Sequence, residues 1–187
     1  MKLNPRNLII PAVLASSICM ALLSITVNSG YAQPSALPNT ILKAESQIST
    51  AQLSSQFPES IQQWKIIIET SAADSGLDPN LIAAVMLQES GGNPQAYSSS
   101  GAVGLLQVMP KDGIASEFMC GGLPCFINRP TINELLEPQF NIQYGSCYIA
   151  KLIQQKGSKR EALRVYGPMD IGYGYADIVL AIYEIYR

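Results

Sequence analysis

The chain has 187 residues, which is enough for one domain with its own core. A net charge of -2 with only 14% charged residues provides no basic surface, so we expect no nucleic-acid partner. The sequence contains no histidine, which excludes Ser-His-Asp, Cys-His and histidine-zinc sites. We therefore predict no metal and no cofactor, and any catalysis must use carboxylates, tyrosines, lysines or thiols.

The N-terminal segment, residues 1–32, has the pattern of a secretory signal peptide. Lys2 and Arg6 precede an uncharged apolar run, and Gly30 and Ala32 occupy the positions that a signal peptidase reads. Cleavage after Ala32 would give an exported protein, periplasmic or extracellular. The alternative is an uncleaved anchor, because the run is nearly long enough to span a bilayer, and this segment would then be the contact with the membrane.

Three cysteines follow the predicted cleavage site. Export to an oxidising compartment favours one disulfide and one odd thiol. Cys120 and Cys125 flank a flexible Gly-Gly-Leu-Pro loop, so we predict that they pair, with Cys125 and Cys147 as the alternative pair. A metal site made of three thiols is less favoured than a disulfide.

Residues 33–57 are rich in Ser, Gln, Pro and Ala without an apolar period, which indicates a linker or a loosely held arm. The predicted catalytic domain spans residues 58–187. Its first helix is indicated by apolar residues at helical spacing from 61 to 72, and Gly76 is the candidate end of that helix.

The second predicted helix has clearly marked ends. Asp78 is a candidate N-cap with Pro79 at the first helical position, and Gly91 and Gly92 terminate the helix. Residues 102–109 form a short apolar segment, for which a brief helix and a buried strand are both compatible with the pattern.

The rest of the chain also has helical patterns. Two capping-box signatures predict helix starts, and two longer segments carry apolar residues at helical spacing. These features are Thr131 with Glu134, Ser158 with Glu161, and the segments 140–153 and 173–187. No strand pattern is convincing, so the fold class is mainly α.

Glu89 shares the apolar face of the second helix, because it follows Met86, Val85 and Ile82 by three, four and seven residues. Spacing alone favours a salt bridge or a cap at the edge of that face, since carboxylates are rarely buried. However, the negative end of the helix dipole and apolar surroundings both raise the pKa of a carboxyl group toward the range of a general acid. Glu89 is therefore the candidate catalytic residue.

The residues around Glu89 carry a longer pattern. The runs ESGGNPQAYS at 89–98 and GAVGLLQVMP at 101–110 closely resemble the signature of soluble lytic transglycosylases of glycoside hydrolase family 23, which share the fold of goose-type lysozymes. LDPNLIAAV at 77–85 and NIQYG at 141–145 are similar to neighbouring segments of the same family. The resemblance covers about residues 60–187 and implies a lysozyme-like helical domain with a substrate groove.

The resemblance also implies roles for single residues. Glu89 matches the family's one catalytic acid, which protonates the glycosidic oxygen between N-acetylmuramic acid and N-acetylglucosamine. Ser98, Gln107 and Met109 match positions that line the sugar-binding groove. For Ser98 a turn-forming hydroxyl, and for Met109 plain core packing, are equally compatible with the sequence.

A departure from the family pattern occurs near the C-terminus. Tyr166 corresponds to the tyrosine that orients the acid, whereas Gly167 stands where the family has asparagine, so one polar contact is expected to be missing. Tyr173 and Tyr175 follow, and they are candidates for stacking on sugars or for ordinary packing.

The resemblance implies a single-acid mechanism. Ordinary glycosidases need two carboxylates, and the sequence around Asp112 and Glu117 has the composition of an exposed loop. Glu89 would protonate the leaving oxygen and then accept the C6 hydroxyl proton of the same sugar, which gives a 1,6-anhydromuramic product. Peptidoglycan glycan strands are the expected partner, and an envelope-spanning secretion or conjugation apparatus is a candidate partner. The alternatives are a lysozyme-like muramidase, a non-catalytic peptidoglycan-binding or assembly protein, and a purely structural exported domain.

Overall fold

Seven α-helices, two short 3-10 helices (Gly113–Glu117 and Met169–Ile171) and one small hairpin form the regular structure of residues 51–187, the part of the chain that the computed structural model describes. The predicted signal peptide and residues 33–50 of the predicted arm lie outside the described residues. The helices are α1 (Glu59–Gln62), α2 (Lys65–Ser75), α3 (Pro79–Ser90), α4 (Ile132–Leu135), α5 (Pro138–Lys156), α6 (Lys159–Tyr166) and α7 (Gly174–Tyr186), and the antiparallel strands are β1 (Met119–Cys120) and β2 (Leu123–Pro124). The mainly α prediction is confirmed. Within residues 51–187, no helix combines the length and apolar character needed to cross a membrane.

The end of the predicted arm belongs to the packed domain. Leu53 and Phe57 are each only 3% exposed, and the Phe57 ring stacks on Tyr186 with 4.5 Å between ring centroids. The Ser54 amide donates a hydrogen bond to Asn80 Oδ1 over 2.8 Å. The domain therefore begins before the boundary predicted at residue 58. Two isolated apolar anchors produce no period, which is why composition alone indicated a loose segment.

The first predicted helix is in fact two helices, α1 and α2, with Gln63 and Trp64 between them. The break places the Trp64 indole so that its Nε1 donates a hydrogen bond to the carbonyl of Gly92, 3.1 Å away. Gly76 ends α2 in the left-handed conformation, as predicted (φ 70°).

The second predicted helix is α3, and both of its ends are confirmed. Asp78 accepts a hydrogen bond from the Asn80 amide, Pro79 occupies the first turn, and Gly91 ends the helix at φ 60°. Every residue from 79 to 86 is buried, and α3 packs against α1, α2 and α7. A helix that is apolar on all sides is surrounded by the core, so the position of its last turn is firmly fixed.

A second layer forms around α5, which packs against α2, α4 and α6. The predicted N-caps Thr131 and Ser158 start α4 and α6, and Thr131 forms the full capping box with Glu134. The last helix, α7, is held to the start of α3 because the Tyr183 hydroxyl donates a hydrogen bond to Asp78 Oδ2 over 2.7 Å.

Candidate active site

Glu89 lies in the last turn of α3, at the point where the helix leaves the core and its side chains become partly exposed. Burial raises the pKa of its carboxyl from 4.5 to about 7, and a hydrogen bond from Tyr175 acts in the opposite direction. A carboxyl with this pKa keeps its proton in a large fraction of molecules at neutral pH, and can therefore serve as a general acid.

The hydrogen-bond partner of Glu89 is Tyr175, on α7, whose hydroxyl donates to Glu89 Oε1. Tyr175 is only 5% exposed. Burial is the larger cause, and the nearby Glu89 charge the second cause, of the raised pKa of its hydroxyl. The phenol therefore remains protonated and stays a donor at all ordinary pH values. The sequence had indicated sugar stacking or packing for this residue, and its role beside Glu89 was not predicted.

Tyr166 does not orient Glu89 in this structure, which corrects the assignment implied by the resemblance. Its hydroxyl donates instead to the carbonyl of Leu106 over 2.6 Å. The Tyr166 ring lies against Tyr175, with 6.5 Å between centroids, and burial raises the pKa of its hydroxyl. Tyr166 thus supports both the tyrosine beside the acid and the loop that follows α3.

Gly167 is required by the position of Tyr175. Its backbone has φ -74°, which any residue can adopt, yet a Cβ at this position would overlap the Tyr175 ring. The departure from the family pattern at Gly167 and the position of Tyr175 are therefore spatially linked. A side chain at 167 is excluded by the same ring that supplies a polar contact to Glu89.

The segment predicted as a brief helix or strand, residues 102–109, is a series of turns with isolated bridges from Val103 to Tyr97 and Val108. Fully buried Asn141 of α5 holds it in place. The Asn141 side chain accepts from the Leu106 amide at 2.8 Å and donates to the carbonyls of Val103 and Leu135, each at 2.9 Å. This role of Asn141 was not predicted, although a polar residue at an apolar helix position requires hydrogen-bond partners.

Two glycines and a serine allow this turn segment to lie close to the helices. Gly104 has φ 77°, and a Cβ there would overlap Asn141 and the Leu135 carbonyl. Gly145 of α5 similarly leaves room for the Leu106 side chain. Ser90, next to Glu89, donates its hydroxyl to the Leu105 carbonyl over 2.8 Å, which joins the end of α3 to the turn segment.

Ser98 and Gln107 shape the loop beside Glu89. The Ser98 Oγ accepts a hydrogen bond from the Ala102 amide at 2.9 Å, as a turn-forming hydroxyl does. Gln107 has the left-handed φ of 47°, and its Nε2 donates to the carbonyls of Ala96 and Gly104 at 3.1 and 3.0 Å. These contacts occupy the amide nitrogen of Gln107, while the side-chain carbonyl accepts no hydrogen bond within residues 51–187.

A cavity of about 400 Å³ is lined by Gln107, Met109 and Tyr166, three of the predicted substrate-binding residues. Ser98 does not line it. The other lining residues come from the turn segment, from the hairpin and the residues that flank it, from α5, and from the end of α6 with the residue after it; they are Val108, Phe118, Cys120, Cys125, Phe126, Arg129, Tyr148, Val165 and Gly167. The lining is largely apolar and aromatic with a few polar groups, which is the composition typical of a ligand pocket.

The hairpin at this cavity was not predicted, because two-residue strands carry no recognisable alternation. Strands β1 and β2 pair Cys120 with Leu123, and a disulfide joins Cys120 to Cys125. The predicted disulfide is confirmed, and Cys147 is a free, exposed thiol. The bridge closes the hairpin next to the cavity.

Asp112 and Glu117, the other carboxylates near the motif, either hold the start of a helix or are exposed. Asp112 accepts a hydrogen bond from the Ile132 amide at the start of α4, and Glu117 is exposed.

Over residues 51–187, no group of Cys, Asp and Glu is suitably placed to hold a metal ion. A larger hollow of about 680 Å³, beside Glu69 and Asp74, shares no lining residue with the cavity of about 400 Å³, and Glu89 lines neither of them.

Known proteins with similar sequences are named as murein-cleaving enzymes. The chain is 40% identical over 90 residues to the endo-type membrane-bound lytic murein transglycosylase A of Klebsiella pneumoniae, covering 48% of this chain and 43% of that protein. It is 38% identical over 92 residues to the membrane-bound lytic murein transglycosylase E of Buchnera aphidicola, covering 49% of this chain and 40% of that protein. The chain thus spans less than half the length of these relatives.

Solved structures show the same fold. An inactive mutant of the lytic transglycosylase Slt from Pseudomonas aeruginosa matches 70% of this chain and 24% of its own, with a TM-score of 0.53 and 23% identity. The 70 kDa soluble lytic transglycosylase from Escherichia coli matches 66% of this chain and 24% of its own, with a TM-score of 0.52 and 22% identity. The transglycosylase SLT domain family matches residues 66–168, which include Glu89, the turn segment and α5. The chain therefore belongs to the transglycosylase SLT domain family.

Proposed function

We propose that this protein is a peptidoglycan lytic transglycosylase that cleaves the β-1,4 bond between N-acetylmuramic acid and N-acetylglucosamine. The observation that carries the proposal is the partly buried Glu89, whose carboxyl has a pKa of about 7 and a hydrogen bond from Tyr175. Membership of the family and the names of the relatives support the same activity.

In the first step, protonated Glu89 donates its proton to the glycosidic oxygen as the bond to the anomeric carbon breaks. The substrate's own acetamido group assists at that carbon, which replaces the nucleophilic carboxylate of ordinary retaining glycosidases. Tyr175 contacts one carboxyl oxygen, so the other is free to face the sugar. The glutamate is left as a carboxylate that still accepts the Tyr175 hydrogen bond.

In the second step, the Glu89 carboxylate accepts the proton of the C6 hydroxyl while the C6 oxygen bonds to the anomeric carbon. The product is a 1,6-anhydromuramic end, and no water is consumed. Glu89 recovers its proton for the next cycle.

The proposal includes export, because the substrate lies outside the cytoplasm. Cleavage of residues 1–32 as a signal peptide would deliver the domain to the periplasm or to the extracellular space, where the Cys120–Cys125 disulfide is stable. Recruitment by an envelope-spanning secretion or conjugation apparatus stays a prediction.

The test is release of soluble glycan fragments from purified peptidoglycan sacculi. We expect release by the wild-type protein and none above background by Glu89→Gln, which preserves the size and removes the acid. Glu117→Gln is the matched control, since Glu117 is exposed and outside the cavity. Release by Glu89→Gln at the wild-type rate, or no release by the wild type, would refute the proposal.

A further inference from the structure

Among residues 51–187, Arg129 is the only charged residue that lines the cavity of about 400 Å³. It follows the hairpin and is partly buried. Its guanidinium lies over the Tyr148 ring, with Cζ 3.8 Å from the ring centroid. Stacking on an aromatic ring holds the planar fork of an arginine in one orientation, and this reduces the entropy that binding a ligand would cost.

The guanidinium of Arg129 has no anionic partner of its own. Each of the salt bridges within residues 51–187 belongs to another cation, namely Lys65, Arg160, Arg164 and Arg187. The side chain of Arg129 also makes no hydrogen bond within residues 51–187, so none of its five N–H donors has an acceptor in this part of the protein. A partly buried, preoriented guanidinium without an acceptor matches the geometry of a carboxylate, which it can bind with two parallel hydrogen bonds.

Neighbouring tyrosine rings connect Arg129 to Glu89. Tyr148 lies 5.8 Å from Tyr166 between ring centroids, Tyr166 lies 6.5 Å from Tyr175, and Tyr175 donates its hydrogen bond to Glu89. The cation and the acid are therefore at opposite ends of one row of aromatic side chains.

The proposed substrate has anions at only one kind of position. Its sugar rings are neutral, and carboxylates occur only on the lactyl-peptide arm of the muramic acid units. A single cation at a fixed distance from the acid can thus distinguish the two alternating sugars. Binding the arm would set the register of the strand, so that a muramoyl unit rather than an N-acetylglucosamine unit is presented to Glu89.

We propose that Arg129, in the cavity between the disulfide hairpin and α5, binds a carboxylate of the lactyl-peptide arm of a muramoyl unit beside the cleaved bond. This inference rests on the proposed function and specifies the ligand class of the same site. The carboxylate comes either from the lactyl group itself or from the stem peptide attached to it, and both sources offer the same planar anion.

The test compares binding of three soluble tetrasaccharides to the full chain carrying Glu89→Gln, which prevents turnover. The ligands are neutral chitotetraose, a muramic-acid-containing tetrasaccharide with free lactyl carboxylates, and the same saccharide with stem peptides. In this background, Arg129→Met removes the charge and keeps an apolar side chain against Tyr148. Arg187→Met is the control, since Arg187 is exposed and pairs with Glu184 outside the cavity.

We expect Arg129→Met to weaken calorimetric binding of at least one carboxylate ligand by roughly tenfold, the typical effect of losing a charge-assisted hydrogen bond, and to leave chitotetraose unaffected. The ligand that weakens identifies the source of the carboxylate. Arg129→Lys should recover part of the loss, because it restores charge without the planar fork. Equal weakening of all three ligands, or of none, would overturn this inference alone, whereas a parent protein that binds no glycan would overturn the proposed function with it.

Discussion

At the scale of single residues, the chemistry of Glu89 depends on a carboxyl that the core partly desolvates. The three residues on its helix face, Met86, Val85 and Ile82, are fully buried, and burial of Glu89 itself is the main cause of its raised pKa. A carboxyl with a raised pKa costs stability once the pH is high enough to ionise it, because the folded state favours the protonated form more than the unfolded chain does.

This cost gives a pH-dependent prediction. The stabilising contribution of protonated Glu89 is fully present below the unfolded value of 4.5 and is lost as the pH rises through about 7. Glu89→Gln should therefore have nearly wild-type stability at acidic pH and become the more stable variant above neutrality, by up to about 3 kcal/mol. Urea unfolding across the pH range measures the difference. A difference that does not grow with pH would contradict the raised pKa.

Tyr175 should influence the pH dependence of catalysis. Its hydrogen bond lowers the pKa of Glu89, so Tyr175→Phe should raise that pKa and move the decline of kcat/KM on the alkaline side to higher pH. The maximal rate should also fall, by about tenfold or more, because the carboxyl loses its orientation.

The control for this experiment is Tyr173→Phe. Tyr173 lies two residues away, is partly exposed, and donates to Glu161 instead of Glu89. Its pH profile should match that of the wild type. An unchanged profile in both variants would show that Tyr175 does not act on the acid.

At the scale of elements, the start of α7 and the end of α6 are fitted to each other. Gly167→Ala should destabilise the fold by roughly 1–3 kcal/mol, since the added methyl overlaps the Tyr175 ring. In a Tyr175→Ala background the same change should cost little, because the ring is gone. A double-mutant cycle of unfolding free energies measures the coupling, and additive effects would refute the proposed steric link.

Asn141 is the second connection between elements. Asn141→Ala would leave the Leu106 amide and the carbonyls of Val103 and Leu135 without their partner inside the core. We expect a loss of about 3 kcal/mol or more in urea unfolding, together with reduced turnover because the turn segment beside Glu89 loosens. The exposed Asn128→Ala serves as control, and an equal effect of the two changes would contradict this role.

Much of the element pattern could be predicted from local chemistry. Asp78, Pro79 and Gly91 mark the ends of α3 because caps depend on the backbone within a few residues. The same locality explains the failures. The break at Trp64 reflects a hydrogen bond to Gly92 across the fold, and the role of Tyr175 depends on contact with a residue 86 positions earlier, which no local pattern contains.

The resemblance placed Glu89, Gln107, Met109 and Tyr166 in one region, and the structure brings them close to the same cavity or to its aromatic row. It did not indicate which tyrosine contacts the acid. That choice follows from the space left at Gly167, which is a property of packing between α6 and α7. Arg129 also lies outside the quoted motifs, so only the folded hairpin associates it with the site.

At the scale of the whole molecule, one buried helix fixes the acid while residues from other elements form the cavity. Helix α3 packs against α2 and α7, whereas the cavity is lined by the turn segment, the hairpin, α5 and α6. The helix surrounded by the core therefore holds the candidate acid, while several elements that include turns and a hairpin line the cavity.

The central claim is that Glu89 acts alone as acid and base and that the attacking group is the sugar's own C6 hydroxyl. Mass spectrometry of the muropeptides released from sacculi tests it most directly, with the Glu89→Gln protein beside the wild type. We predict fragments that end in 1,6-anhydromuramic acid from the wild type and none from the variant. Fragments with free reducing ends would contradict the claim, because they would show that water attacks and that the protein is a lysozyme-like hydrolase.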